Sequence, residues 1–315
     1  MIQADYENYI REYGAVLSLE DFAANVWQGP VGSRSKLPKV VEDWFRTQKG
    51  DQAQAIWQEI VAKRAQRETD LQQELFKQKK RLADAERTLQ TKTTKKAQED
   101  QRIATDKISK LVLDLNDLQR TEPKPRDARF FPGMYVPVVV QEGQQRLLKP
   151  MRYQCRLPGW QEFIERKYPG TYNARRDSIP KTWKELFGQR HGIIVVSAFY
   201  ENVERHNMEH RELAPGEASE NVVLEFQPKP QQDMIIACLW NESPTDAGPL
   251  LSFAAITDEP APEVAAAGHD RTIIQIKPEN VERWLTPEGR SWDELQAILD
   301  DRPEAYYEHQ ISKAA

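Results

Sequence analysis

Between Asp51 and Arg120 the chain carries neither proline nor glycine, and its apolar residues return at helical spacing. Leu71, Leu75, Leu82 and Leu89 follow steps of four and seven. Ala104, Ile108, Leu111, Leu115 and Leu118 follow a 4-3-4-3 heptad rhythm on a background of Gln, Lys, Glu, Ala and Arg. Thr91-Lys92-Thr93-Thr94 has low helix propensity, which predicts a turn. The expected product is an antiparallel, coiled-coil helical hairpin over residues 51–122. Its first arm, about 40 residues long, would reach roughly 60 Å at 1.5 Å per residue. Pro123 and Pro125 end it.

Beyond Pro125 the period changes. Tyr135 to Val140 is β-branched, and Glu142-Gly143-Gln144 reads as a hairpin turn. Gly192 to Tyr200 is a continuous apolar run, as expected of a buried strand. Further strands are predicted at Val222 to Phe226, Asp233 to Trp240, Leu250 to Ile256 and Thr272 to Ile276. Helices fit at Gly159 to Lys167, Lys181 to Gly188, Asn280 to Leu285 and Ser291 to Asp300, the last with Ser291 as N-cap and Glu294 three residues on. Tyr6 to Trp27 reads as one or two short helices, and Gly29-Pro30 and Gly32-Ser33 break the pattern. Strands and helices without regular alternation indicate an α+β fold. The organisation expected is a core made of residues 1–50 and 123–310, with the hairpin of 51–122 inserted between them.

Composition fits this plan. Of 315 residues, 30% are charged and 39% hydrophobic, an unusual balance for a wholly compact globule that the polar hairpin explains. Cys155 and Cys238 lie far apart in apolar contexts and read as reduced core residues of a cytosolic protein. No apolar run approaches the roughly 20 residues that span a bilayer, and no export signal is visible, so no membrane role and a cytoplasmic, nucleoid-associated location are expected. Net charge is −5, yet basic residues dominate from Arg146 to Arg190 and acidic ones from Glu242 to Glu308. One basic face on an acidic protein suits a focused phosphate-binding groove; a solvated surface is the equal alternative.

Three short polar clusters sit in apolar surroundings: Asn173-Ala174-Arg175, Ala198-Phe199-Tyr200-Glu201 and His269-Asp270-Arg271. An amide, a carboxyl and an imidazole brought to one pocket could orient an amine and move protons near neutral pH, and Arg175 and Arg271 suit phosphate. Each also has a plain structural reading: Asn173 as an Asx-turn, Glu201 as the strand leaving the core, His269 as a structural hydrogen-bonder. The loop before His269, Ala265-Ala266-Ala267-Gly268, is small enough to let a ligand approach closely. His206-Asn207-Met208-Glu209-His210 fits a zinc-protease spacing, but its place just after a strand and before Pro215-Gly216 predicts a connection or a single helical turn, so no metal site and no cofactor are expected.

The three clusters, in this order, resemble the SOS response-associated peptidase (SRAP) family. So do Arg129 to Val140 (RFFPGMYVPVVV), Lys149 to Trp160 (KPMRYQCRLPGW) and Asn280 to Leu285 (NVERWL). The resemblance runs from about Ala128 to Leu285. It implies a protein that binds single-stranded DNA and attaches covalently to abasic sites, with an associated autopeptidase activity. Asn173, Glu201 and His269 would be catalytic: the amide positioning an N-terminal amine, the carboxyl acting at the deoxyribose ring oxygen, the imidazole at the Schiff base or sugar. Arg152, Trp160, Arg175 and Arg271 would contact DNA. The hairpin would serve a protein partner or self-association. The chain departs from the family in two places beside these motifs, with Asn202 in place of the usual Trp and Thr272-Ile273 in place of Met-Pro.

The family nucleophile is a cysteine directly after the initiator methionine. Its α-amine, with a pKa of about 7.7–8.0, gives a Schiff base and its thiol then closes a thiazolidine. Here that position holds Ile2, and Cys155 and Cys238 have no free α-amine. Two expectations follow. Either the start lies a few codons upstream, as the abrupt opening inside an amphipathic segment (Tyr6 to Leu19) favours, or the nucleophile is lost and the protein is a non-catalytic DNA binder or a hairpin scaffold.

Overall fold

Val136, Val138 and Val140 turn into the main apolar cluster while Val139 is buried on the opposite face, so this run is covered on both sides, as in a closed or doubly packed sheet. The computed structural model of the chain describes residues 1–3, 13–27, 37–246 and 248–312. Strands β1 (Ile2–Gln3) and β2 (Val16–Leu17) precede helices α1 (Leu19–Trp27), α2 (Lys39–Trp44), α3 (Asp51–Thr91) and α4 (Lys95–Gln119). There follow β3 (Tyr135–Glu142), β4 (Gln145–Tyr153), α5 (Glu162–Lys167), β5 (Asn173–Arg175), α6 (Ile179–Thr182), β6 (His191–Glu204) and α7 (Arg205–Met208). The chain continues with β7 (Asn221–Lys229), β8 (Met234–Ser243), β9 (Leu250–Asp258), α8 (Pro262–Ala266), β10 (Thr272–Ile273), α9 (Val281–Leu285), α10 (Trp292–Asp300) and β11 (Tyr306–Ile311).

Five strands close a barrel. β3 pairs antiparallel with β4, β4 parallel with β9, β9 antiparallel with β8, β8 antiparallel with β6, and β6 returns to β3 through Val139↔Ile193 and Val140↔Gly192. The closing contact depends on a glycine, since a Cβ on Gly192 would stand 2.8 Å from Val138 Cγ1. The second half of β6 leaves the barrel and pairs with β7, which carries β11 on its other edge. Phe199 and Phe226 stack there at 5.0 Å. Outside the barrel, α9 is pinned by Trp284, whose indole donates to the Gly192 carbonyl at 3.0 Å and whose ring stacks on His191 at 3.8 Å. The predicted capping box opens α10, with the Glu294 amide donating to Ser291 Oγ at 3.2 Å and the Glu294 carboxylate accepting from the Ser291 amide at 2.7 Å.

The chain divides into two compact units: residues 1–22, 36–39 and 125–315, and residues 23–35 and 40–124. Within the second, α3 and α4 form an antiparallel hairpin, as the Arg81–Asp100 and Gln119–Glu68 pairs show. Leu71, Gln78 and Ala85 of α3 and Ala97, Ala104 and Leu115 of α4 are its buried seam. The predicted turn is the break at Lys92–Thr94, where Thr94 Oγ1 caps α4 by accepting from the Ala97 amide at 3.2 Å. The base of α3 differs from expectation. It overruns α4, buries Ala53, Ile56 and Ile60, and ties to α2 through Arg64, which donates to Glu42 at 2.7 Å and to Asp43 at 2.8 Å.

Other elements depart from the sequence reading, and β4 is implied only by the hairpin turn expected at Glu142-Gly143-Gln144. Val16–Leu17, expected to be helical, is a strand running parallel to Leu147–Leu148 of β4. β4 itself is masked in the sequence by Pro150 and alternating charge, although Pro150 sits opposite Pro137 in register. β11 follows α10 and reads as polar because four of its six residues are exposed at a sheet edge and a fifth, Ile311, is exposed as well. The predicted helix at Lys181 to Gly188 is shorter and earlier, at Ile179–Thr182. Residues 6–12 of the helix expected from Tyr6 lie outside the described residues.

Candidate functional site

The departure of β6 from the barrel decides where Glu201 goes. Its backbone pairs with Leu224 of β7, beyond the closed ring, and its carboxyl faces a pocket of about 390 Å³. Asn173 arrives from β5, which lies parallel to β9 through Asn173↔Ala255. Its side-chain oxygen accepts from the Tyr153 hydroxyl at 3.3 Å. Met1, Phe131, Tyr153 and Tyr172 line the same space. The Met1 amine donates to the Phe130 carbonyl at 3.3 Å, and β1 then runs along β6 with Ile2 opposite Ala198. The residue at the pocket is therefore Met1, and position 2 is already in the sheet.

His269 reaches Glu201 from the loop after α8, with Nε2 3.1 Å from Glu201 Oε2. Its Nδ1 lies 3.0 Å from the Arg271 carbonyl and 3.4 Å from the Arg271 amide, so the ring is held by the Arg271 backbone in either tautomer. Burial raises the Glu201 pKa above its usual 4.5, and His269, Arg271 and the terminal amine act in the opposite sense. Burial also pulls the Met1 amine down to about 5, against the attraction of Glu201. An amine at this point of the pocket is thus neutral, and nucleophilic, at pH 7.

The Gly268 backbone, at φ +91°, is approached closely, but by α7 and not by open space for a ligand: a Cβ there would stand 2.9 Å from Asn207 Cβ. That contact gives the His206–His210 segment a structural use. It holds most of the four-residue helix Arg205–Met208, and the chain turns away at His210, whose φ is +51°. Among the described residues no group of three His, Cys, Asp or Glu side chains is placed to hold a metal.

Arg175 and Arg271 converge on Asp270, at 3.9 and 3.1 Å. Arg175 also donates to Asp177 at 2.9 Å and Glu259 at 3.1 Å, yet both guanidinium side chains keep 37% of their surface exposed. Arg152 and Trp160 are not part of this cluster. Arg152 donates to the Gln154 carbonyl and pairs with Glu165, which also takes Arg156 at 2.9 Å, and Trp160 packs against Tyr168. Part of the basic stretch meets the acidic one, since Arg176 pairs with Asp258 and Asp300, and Arg146 with Glu282. Tyr153 and Tyr172 are the pocket residues that sequence reasoning passed over; Tyr153 lay inside a matching segment but reads there as an ordinary core aromatic.

With this geometry in hand, the family model for the SOS response-associated peptidase (SRAP) matches residues 86–314. The chain belongs to the SRAP family. Membership carries a DNA-damage-associated role and a general link to peptidase and DNA-processing activity. No curated protein matches the chain. Among solved structures, one from Bordetella bronchiseptica is similar at 18% identity and a TM-score of 0.48, covering 59% of this chain and 88% of its own. One from Bacteroides thetaiotaomicron is similar at 14% identity and a TM-score of 0.45, covering 57% and 75%. No helix among the described residues of this SRAP protein is long and apolar enough to cross a membrane.

Proposed function

We propose that this chain processes abasic sites in single-stranded DNA by covalent attachment through an N-terminal amine, with Asn173, Glu201 and His269 as the reacting groups. The observation that supports it most is the convergence of the first residue, Asn173 and Glu201 on one pocket, with His269 at 3.1 Å from Glu201. Glu201, its pKa raised by burial and with His269 beside it, can protonate the ring oxygen of the abasic deoxyribose as it opens to the aldehyde. A neutral amine adds to the aldehyde carbon and water leaves, giving an imine. Where the first residue is cysteine, its thiol sulfur adds to the imine carbon and its proton goes to the nitrogen, closing the ring. Asn173, held by Tyr153, would orient the amine, and Arg175 and Arg271 at the rim would take the flanking phosphates.

The test compares two forms on an abasic oligonucleotide. The form beginning at Met1 is expected to give a Schiff base that is hydrolysed unless borohydride is added. A form beginning with cysteine, either at Met1 after removal of a cleavable leader or from an in-frame Met-Cys read in the upstream codons, is expected to give an adduct that survives heat and denaturant without reductant. Absence of any adduct from both cysteine forms, with DNA binding retained, would overturn the catalytic reading.

A further inference from the structure

The charge of the hairpin is polarised along its length. From Lys77 to Lys110, the part that includes the turn, there are eleven basic and five acidic residues. In the remaining parts of the two arms, 51–76 and 111–122, there are four basic and eight acidic. A helix pair laced only for solubility would intersperse the two signs along both arms. Of the five acidic residues near the turn, three are engaged, Asp100 with Arg81, Asp84 with Arg87 and Asp106 with Arg102, while Glu86 and Glu99 enter no ion pair among the described residues. Lys79, Lys80, Lys92, Lys95, Lys96 and Lys110 are exposed and enter no ion pair among the described residues. Lys95 and Lys96 lie in the first turn of α4, which holds no acidic residue. Positive charge there opposes the helix dipole, so the placement weakens the helix and needs another reason.

We infer that the turn-proximal half of this hairpin is a second nucleic-acid contact, one that grips the phosphate backbone of duplex DNA. The patch holds no aromatic residue between Lys77 and Lys110, and binding to a single strand ordinarily relies on aromatic stacking. Lysines alone recognise phosphates as point charges, without sequence. The segment of α3 from Lys77 to Thr91 is about 20 Å long at 1.5 Å per residue. The same length of duplex axis presents roughly 12 phosphates at fixed spacing. A stiff rod of lysines therefore meets a stiff array of charges. One groove of the hairpin brings Lys77, Lys80 and Arg81 of α3 together with Lys96 of α4, beside Asp84 and Asp100, which are paired with Arg87 and Arg81.

The test uses the full chain carrying Lys92→Gln, Lys95→Gln and Lys96→Gln together, with Thr94 kept as the cap, and the corresponding Lys→Arg triple as rescue. Binding to a plain duplex is measured across salt concentrations. The Gln triple is expected to lose tenfold or more in affinity at low salt and to flatten the slope of log K against log salt by about 2.7, the share of three phosphates. The Arg triple should restore both. Unchanged affinity and slope in the Gln triple would overturn the inference, as would a loss confined to single strands, or a loss explained by dissociation of a dimer in sedimentation. The abasic adduct on a short single strand should be equal in all three proteins, which separates this contact from the pocket chemistry.

Discussion

At the scale of single residues, the site rests on a carboxyl whose ionisation is discouraged by burial and relieved by one imidazole. Glu201→Gln removes the proton transfer but keeps the shape. Adduct formation by a cysteine-initiated form should fall by about 10²-fold or more, as loss of general acid–base catalysis does. Because the folded pKa is raised, the stability tied to the neutral acid is present below the unfolded value of 4.5 and lost as pH rises through the folded one. The Gln variant should therefore be no less stable than the wild type at pH 7.5 in urea unfolding, while being slow in trapping assays. A stability loss comparable to the rate loss would show that Glu201 is structural.

His191 provides a second residue-scale test. It accepts from the Gly188 amide at 2.8 Å and faces the Trp284 carbonyl at 2.9 Å, so it is held neutral, and burial lowers its pKa from 6.5 to about 3. The folded value is depressed, so the contribution is complete above pH 6.5 and is lost as pH falls toward 3. Urea midpoints should begin to drop below pH 6.5, before the carboxylates protonate. His191→Asn should be less stable at pH 7 yet flatter between pH 6.5 and 4.5.

At the scale of elements, the hairpin can be shortened only at matching points on its arms. Gln119 donates to Glu68 at 2.6 Å, so these positions adjoin, whereas Asp51 lies 17 residues, roughly 25 Å, further along α3. Replacing 69–118 by a short Gly/Ser turn should leave a cooperatively folding protein with the pocket chemistry intact and the duplex contact gone. Loss of cooperative unfolding would make the arms integral to stability. The hairpin's rhythm was legible because a helix declares its buried face in a local period. The burial of Ala53, Ile56 and Ile60 beyond the end of α4 was not, because the turn at Phe45–Thr47 that this end of α3 meets carries no period continuous with the helix.

At the scale of the whole molecule, the barrel closes where β6 meets β3 over Gly192. Gly192→Ala would place a methyl 2.8 Å from Val138 Cγ1. It should destabilise by about 1–3 kcal/mol through overpacking, read as a lower urea midpoint with unchanged slope. An unchanged midpoint would mean that β3 yields at the seam without cost.

The sequence by itself determined the helical hairpin, the α+β character, most of the strands and the α10 cap, since periods of 3.6 and 2 and cap chemistry are local properties of neighbouring residues. It also marked the three polar clusters that carry Asn173, Glu201 and His269. Only the tertiary structure decided that the barrel closes, that β6 carries Glu201 out of it, and that Met1 and not Ile2 lines the pocket. It also decided that Arg152 pairs with Glu165 while Arg175 and Arg271 share Asp270. Strand closure and ion pairing join residues more than a hundred positions apart, 124 for Arg176 and Asp300 and 136 for Arg146 and Glu282, and no periodicity along the chain records which distant charge a side chain will meet.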